Sequence, residues 1–177
     1  MTQTRFVVLL RGINVNGRSL AMKELREAAQ ANGFPDCTTY IQSGNLILSA
    51  DGDAAEVEAR IESLIEKTFA MKVVAIARSA ADLKALAATN PFPDAVPKAL
   101  HLGLTKKPLK PDAAEALAER ATHGEVMTVI GNAFWINFAE GVADSKVTPA
   151  AMDKAAGSTL TARNWNTLQK LIALSEE

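Results

Sequence analysis

Apolar residues follow two different patterns along the first 77 positions of the chain. Continuous β-rich runs predict strands, and helical spacing predicts helices. Continuous β-rich apolar runs at 6–10 and 73–77 indicate buried strands, and two further β-rich runs, at 38–41 and 46–48, flank Ser43-Gly44-Asn45 as a hairpin. Helical spacing appears in the stripe of Val57, Ile61, Leu64, Ile65 and Phe69, and Asp53 with Glu56 three residues on predicts a capping box where this helix begins. The resulting order, β-α-β-β-α-β, is the split-βαβ or ferredoxin-like arrangement.

The rest of the chain is predicted to repeat this order of elements less closely. The proline-rich segment NPFPDAVP at 90–97 indicates a boundary, so we expect domains at 1–90 and 91–177. The second half predicts β-α-β-β-α-α, with a helix over 111–124, a hairpin around Gly131-Asn132 and a last helix that begins at Thr161. The predicted fold class is α+β: two ferredoxin-like half-domains, the second degenerate because a helix replaces its last strand, with a C-terminal helix.

Composition narrows the function classes. With 19 Lys+Arg against 20 Asp+Glu, the net charge of −1 argues against unspecific polyanion binding. The single cysteine, Cys37, excludes an internal disulfide and a thiolate zinc site built from this chain alone. Arg11 interrupts the first apolar run, which is too short for a signal sequence or a membrane span. We therefore expect a cytoplasmic protein.

Two loops rich in Gly and Asn are predicted to meet at one edge of the first sheet. RGINVNG (11–17) follows the first strand and QSGN (42–45) follows the second. The crossover helix makes these two strands parallel, so their carboxyl ends share an edge. Binding residues are then expected among Arg11, Gly12, Asn14, Gln42, Ser43, Gly44 and Asn45. The alternative is that these residues only form turns, for which Asn and Gly are suited.

A second polar segment, TARNWNT at 161–167, is predicted to begin the last helix. A helix N-terminus offers unpaired N–H groups to an anion. Candidate binding residues are Lys146 in the preceding loop, with Thr161, Arg163, Asn164 and Asn166. The alternative is a capping Thr161, a core Trp165 and solvent-facing polar side chains.

Residues for catalysis are sparse. His101 and His123 have no Cys, Asp or second His at ligand spacing, so we expect no metal site. Cys37 has no evident base, and a small buried residue is the favoured interpretation. Ser43 lies outside any GxSxG elbow or Ser-His-Asp set. Enzymatic activity and cofactors therefore stay undetermined by the sequence, as does the oligomeric state.

Four blocks carry a resemblance: FVVLLRGINVNGRSLAMKELR, GFPDCTTYIQSGNLILSA, NPF and TARNWNTLQKL. Together they resemble a bacterial family catalogued as a domain of unknown function, over about residues 5–174. The family has an LLRGINVGG-type opening, a TYIQSGN block and a terminal TxRNWNT block, and Asn16 departs from the usual Gly. The resemblance implies a duplicated α+β fold and no assigned activity.

Three functional hypotheses follow. The first is a pocket for a small anionic or nucleotide-like ligand in a polar cleft between the two halves, with Arg11 and Arg163 holding the anion. The second is a module associated with RNA or other nucleic acid, through a local patch of Arg11, Arg18, Lys146 and Arg163. It lacks an RNP1-like run and has few aromatics. The third is a structural protein whose polar motifs form a buried network.

Overall fold

The computed structural model describes residues 2–14, 17 and 19–177. Asn16 and Arg18, named above for the loop and the basic patch, lie outside the described residues. The chain divides into two compact units, here called unit one (Met1–Leu83 with Leu171–Glu177) and unit two (Lys84–Lys170). The predicted domain boundary between residues 90 and 91 stays a prediction.

Unit one has the element order that the apolar spacing predicts. The elements are β1 (Thr4–Arg11), α1 (Met22–Ala31), β2 (Thr38–Tyr40), β3 (Asn45–Ala50), α2 (Ala54–Phe69), β4 (Val74–Ser79) and α3 (Ala80–Ala87), which begins directly after β4. The described strands form a four-stranded sheet in the order β2-β3-β1-β4, with every neighbouring pair antiparallel.

The helices of unit one cover one face of its sheet. Alternate residues of β1 point to opposite faces, and Phe6, Val8 and Leu10 lie in the core that also contains Leu25 and Ile61. The helix α2 begins with the predicted capping box: the Asp53 carboxylate accepts from the Glu56 N–H at 2.9 Å, and Glu56 accepts from the Asp53 N–H at 2.8 Å. The buried residues on the other face are Val7, Leu9, Ile47 and Ile76.

Unit two repeats this topology. Its described strands form a second four-stranded antiparallel sheet, in the order β6-β7-β5-β8, so the protein is α+β with two half-domains. The elements are β5 (Leu100–Thr105), α4 (Ala113–Ala116), a 3-10 turn (Ala118–Arg120), β6 (Glu125–Ile130), β7 (Ala133–Phe138), α5 (Pro149–Ala156), β8 (Leu160–Asn164) and α6 (Trp165–Ser175).

The predicted last helix begins too early. Residues 160–164 form β8, which pairs with β5 through Leu102 and Arg163, and α6 begins only at Trp165. Thr161 is therefore a strand residue and not a helix cap. The open side of β5 supplies a ladder of hydrogen bonds to this segment, and that long-range pairing outweighs the local helix signal. The order is β-α-β-β-α-β followed by α6.

The predicted helix over 111–124 is also wrong in length. Only Ala113–Ala116 is α-helical, and Asp112 makes no side-chain cap bond. Just Ala113 and Leu117 are buried there, so the segment has too small an apolar stripe to stabilise three turns. This shortened crossover helix is what makes unit two the degenerate copy. In the described part of the chain, no helix has the length and apolar character needed to cross a bilayer.

Candidate functional site

The two Gly/Asn-rich loops of unit one lie side by side at one end of its sheet. Leu9 pairs with Asn45 in the β1–β3 register, and the Leu10 N–H donates to the Gly44 carbonyl at 2.8 Å. The loop that follows Arg11 therefore adjoins the turn at 41–44. The antiparallel ladder brings together the segments that the sequence predicts to meet.

Asn14 ties these two loops together. Its backbone is left-handed, with φ of 56°. Its Oδ1 accepts from the Leu20 N–H at 2.7 Å, and its Nδ2 donates to the carbonyls of Leu20 at 3.1 Å and Gln42 at 2.6 Å. Both ends of this amide are used by the protein's own backbone, so Asn14 shapes the loop.

Asn45 holds the second loop from within. Its side chain is fully buried, and its Nδ2 donates to the Tyr40 carbonyl at 2.9 Å and to the Ser43 Oγ at 3.0 Å. Gln42 and Ser43 are exposed beside it. The turn is thus fixed by a buried amide while the side chains at its tip face solvent.

Gly12 and Gly44 are both left-handed but have different surroundings. A Cβ on Gly44 would lie 2.5 Å from Ile13 Cδ1 and 3.0 Å from Leu10 Cβ, so packing requires a glycine there. A Cβ on Gly12, at φ of +70°, would meet nothing within 4 Å. The backbone next to Arg11 therefore borders open space.

Ile41 is strained at the edge of the same turn. It has φ of 51°, a conformation that a β-branched residue rarely adopts, and its side chain is 46% exposed. Strain of this kind costs of order 1–3 kcal/mol and concentrates at functional sites. Sequence reasoning assigned Ile41 to a strand and missed it, since β-branched residues give no left-handed signal.

The second polar segment lies in the sheet of unit two. Leu160 and Ala162 pack on the helix side, so their neighbours Thr161 and Arg163 point to the opposite face. Arg163 Nη1 donates to Thr161 Oγ1 at 2.8 Å and to the Ala162 carbonyl at 3.0 Å. Burial lowers the pKa of Arg163 to about 10.

The other residues predicted in this segment have separate places. The Asn164 Oδ1 accepts from the Thr167 N–H at 2.9 Å and caps α6, while Asn166 is exposed in the first turn of that helix. Lys146 is exposed, and its neighbour Val147 packs in the helix-side core of unit two. Lys146 thus belongs to the helix side of the sheet, and Arg163 to the other face.

Comparison with known proteins identifies the family. A family model described as a protein of unknown function (DUF1697) matches residues 3–135. The chain belongs to this family. A solved structure, the conserved bacterial protein SP0830 from Streptococcus pneumoniae, is similar in fold, with a TM-score of 0.72 and 21% identity over 99% of this chain and 100% of that chain. Curated proteins give no significant match.

The range matched by the DUF1697 model contains both loops of unit one. It ends before the segment 161–166, so the terminal block of the resemblance lies outside it. We therefore centre the candidate site on the loops at 11–17 and 41–45. The family description itself names no activity.

The titratable residues considered for catalysis are poorly placed for it. Cys37 is buried, as expected for a small core residue, and burial raises the pKa of its thiol to about 12. Burial also lowers the pKa of His101, whose Nδ1 lies 3.1 Å from the Ala99 carbonyl. Among the described residues, no three His, Cys, Asp or Glu side chains are grouped to bind a metal.

One internal repeat escaped the sequence reasoning. Ala77-Arg78-Ser79 ends β4 and Ala162-Arg163-Asn164 ends β8, and a helix follows each. In both, the arginine Nη1 donates to the carbonyl of the preceding alanine. The signal was the shared Ala-Arg pair ahead of a capping residue, which is too short to find before the strands are aligned.

Proposed function

We propose that unit one binds a small anionic ligand at the loops 11–17 and 41–45. The observation that carries the proposal is the contrast between Gly12 and Gly44. Both need a left-handed backbone, but only Gly44 also needs the absence of a side chain for packing. At Gly12 the space stays open, directly beside the guanidinium-bearing residue Arg11.

The chemistry of the loops supports an anion. Arg11 carries a planar set of N–H donors that suits a carboxylate or a phosphate. Ser43 adds an exposed hydroxyl, and the glycines allow a ligand to approach backbone N–H groups. Asn14 and Asn45 hold the described residues of both loops by hydrogen bonds, which lowers the entropy cost of binding there. We assign no reaction to the site.

A structural role is the second candidate function, and Asn14 and Asn45 favour it. Their amides bind backbone carbonyls and the Leu20 N–H, as expected for a motif that only locks loops. This role explains Asn14, Asn45 and Gly44. Ligand binding is preferred because Arg11 brings a charged, planar set of N–H donors to the same loop ends.

The nucleic-acid alternative has less support. The exposed large apolar side chains in the described chain are Ile41, Val96, Val126 and Val142, and none is aromatic. Base stacking needs aromatic platforms. A filter-binding titration across salt concentrations tests this alternative, and salt-dependent retention of RNA would revive it.

The test is ligand screening by thermal shift with inorganic phosphate, pyrophosphate, nucleotides and carboxylated metabolites. We expect Arg11→Ala to weaken the best ligand by about tenfold or more, because a charge-assisted hydrogen bond contributes about 1.5–3 kcal/mol. Arg26→Ala is the matched control, since Arg26 is also half-buried but lies on α1. The amide resonances of Gly12 and Gly44, followed by NMR, report where the ligand binds.

Arg11 separates the two candidate functions, whereas Asn14 stabilises the loops under both. Asn14→Gly keeps the left-handed backbone but removes the bonds to Leu20 and Gln42, and so lowers the melting temperature under either one. If no ligand raises the melting temperature of the wild-type protein, or if the Arg11 and Arg26 variants bind equally well, the binding proposal is wrong and the structural role remains.

A further inference from the structure

Most strand edges of the two described sheets are short or covered. The edge strand β2 has three residues. On β4, the N–H groups of Ala75 and Ala77 donate to the carboxylates of Glu62 at 3.0 Å and Glu58 at 2.9 Å. On β8, the Leu160 N–H donates to Asp153 Oδ1 at 2.9 Å. Acceptors from neighbouring helices thus occupy donors that could otherwise pair with another strand.

The edge strand β6 has no such cover. It runs for six residues, Glu125–Ile130, and pairs with β7 on one side only. Within the described chain, the structure gives its backbone no hydrogen bond outside that ladder. Residues 126–130 contain no charge and no proline, and Val126 is 51% exposed. An edge with these properties is a template for pairing.

We propose that β6 pairs antiparallel with β6 of a second copy of this chain, which joins two four-stranded sheets into one. A two-fold axis through Thr128 places Val126 opposite Ile130 and Met127 opposite Val129. These pairs are uncharged and mostly β-branched, so they stabilise a sheet, and no like charges face each other. The strand is therefore complementary to itself.

The expected dimer is weak. A single strand edge buries much less than the roughly 1,600 Å² of a standard interface. We therefore expect a dissociation constant of about micromolar or weaker. The proposal concerns unit two and is independent of anion binding in unit one.

Sedimentation velocity of the full chain over a wide range of concentrations tests the proposal. We expect a reversible monomer–dimer equilibrium that Val126→Lys weakens by about tenfold or more, because the lysines charge a neutral edge. Val126→Thr is the control, since it stays β-branched and uncharged, and it should leave the dimer within about threefold of wild type. A monomer at every concentration, or an equal dimer for Val126→Lys, would overturn the proposal.

A cross-link tests the register. Directly opposite residues of an antiparallel pair have Cα atoms about 4.5–5.5 Å apart, within reach of a disulfide. Thr128→Cys should therefore give a covalent dimer on mild oxidation, and Ala150→Cys on exposed α5 should not. The native Cys37 is buried and does not compete. Equal cross-linking of both variants would overturn the pairing, as would binding of a foreign peptide at β6 in place of self-association.

Discussion

Two strand-to-helix corners, one in each unit, share a backbone plan but differ in their electrostatics. At both corners an arginine donates to the preceding alanine carbonyl, at 2.8 Å from Arg78 and 3.0 Å from Arg163. The residue after each arginine then caps a helix. Ser79 Oγ accepts from the Asp82 N–H at 3.1 Å, and Asn164 Oδ1 accepts from the Thr167 N–H at 2.9 Å. At both corners the same backbone carbonyl therefore accepts from the arginine.

The surroundings of the two arginines differ. Burial lowers the pKa of Arg78, while the charges of Glu58 and Asp82 oppose that shift. For Arg163, burial alone lowers the pKa to about 10, and a hydroxyl from Thr161 accepts one of its hydrogen bonds. The first corner thus places acidic side chains near its arginine, and one of them, Glu58, also covers the edge of β4.

Removing each arginine gives the largest expected effect. Arg78→Met should lower the free energy of unfolding by about 3 kcal/mol, because it leaves the buried Glu58 without its cationic neighbour. Arg163→Met should lower the free energy of unfolding by only about 1 kcal/mol. The variant loses hydrogen bonds, but it also no longer has to bury a charge. Urea unfolding measures both. Equal losses would mean that the acids at the first corner make no energetic difference.

The buried glutamates of the two units should respond in opposite directions. Glu58 accepts from the Ala77 N–H at 2.9 Å, so Glu58→Met should lower the free energy of unfolding by about 2 kcal/mol. Glu125 is 7% exposed, and in the described structure neither carboxylate oxygen has a hydrogen-bond partner. Glu125→Met should therefore raise the free energy of unfolding by about 1 kcal/mol. A loss in both variants, measured by urea unfolding, would contradict this contrast.

The smallest expected effect is a pH dependence that arises at His101 in unit two. Phe6 pairs with Ser79 in unit one, and His101 pairs with Asn164 in unit two. Phe6 and His101 therefore occupy equivalent places in the two sheets. Burial lowers the pKa of His101 below its ordinary 6.5. Below pH 6.5 the unfolded chain therefore binds more protons than the folded one, and stability falls as the pH is lowered.

His101→Phe should remove this part of the acid destabilisation, and it keeps a ring against Phe138. Thermal unfolding of both proteins at a series of pH values from 7.5 to 5 measures the effect, in a range about the ordinary histidine pKa. Curves that stay parallel throughout would show that His101 does not contribute.

Local patterns were sufficient for much of the fold. The apolar stripe of α2 and its capping box at Asp53 were readable because both depend on neighbours within two turns. The hairpin of β6 and β7 followed from Gly131-Asn132 between two β-rich runs. The meeting of the two loops in unit one followed from topology, since one crossover helix fixes which strand ends share an edge.

The errors occurred where distant contacts decide the structure. Residues 161–164 had a helix signal from TARNWNT but became a strand, because β5 offered an open edge. Asn14 adopts a left-handed conformation, and its side chain bonds to Gln42 on the other loop as well as to Leu20. The roles of Glu58 and Arg78 also depended on contacts between α2 and β4.

The sequence by itself determined the fold class, the order of elements in unit one and the two loops that form the candidate site. It did so because hydrophobic periodicity and turn residues act over a few positions. Only the tertiary structure decided which of the polar motif residues are structural. Asn45 and Arg163 bind groups on residues close to them in the chain, and Asn14 also reaches Gln42, but only strand pairing and burial decide that these side chains turn onto the protein's own polar groups.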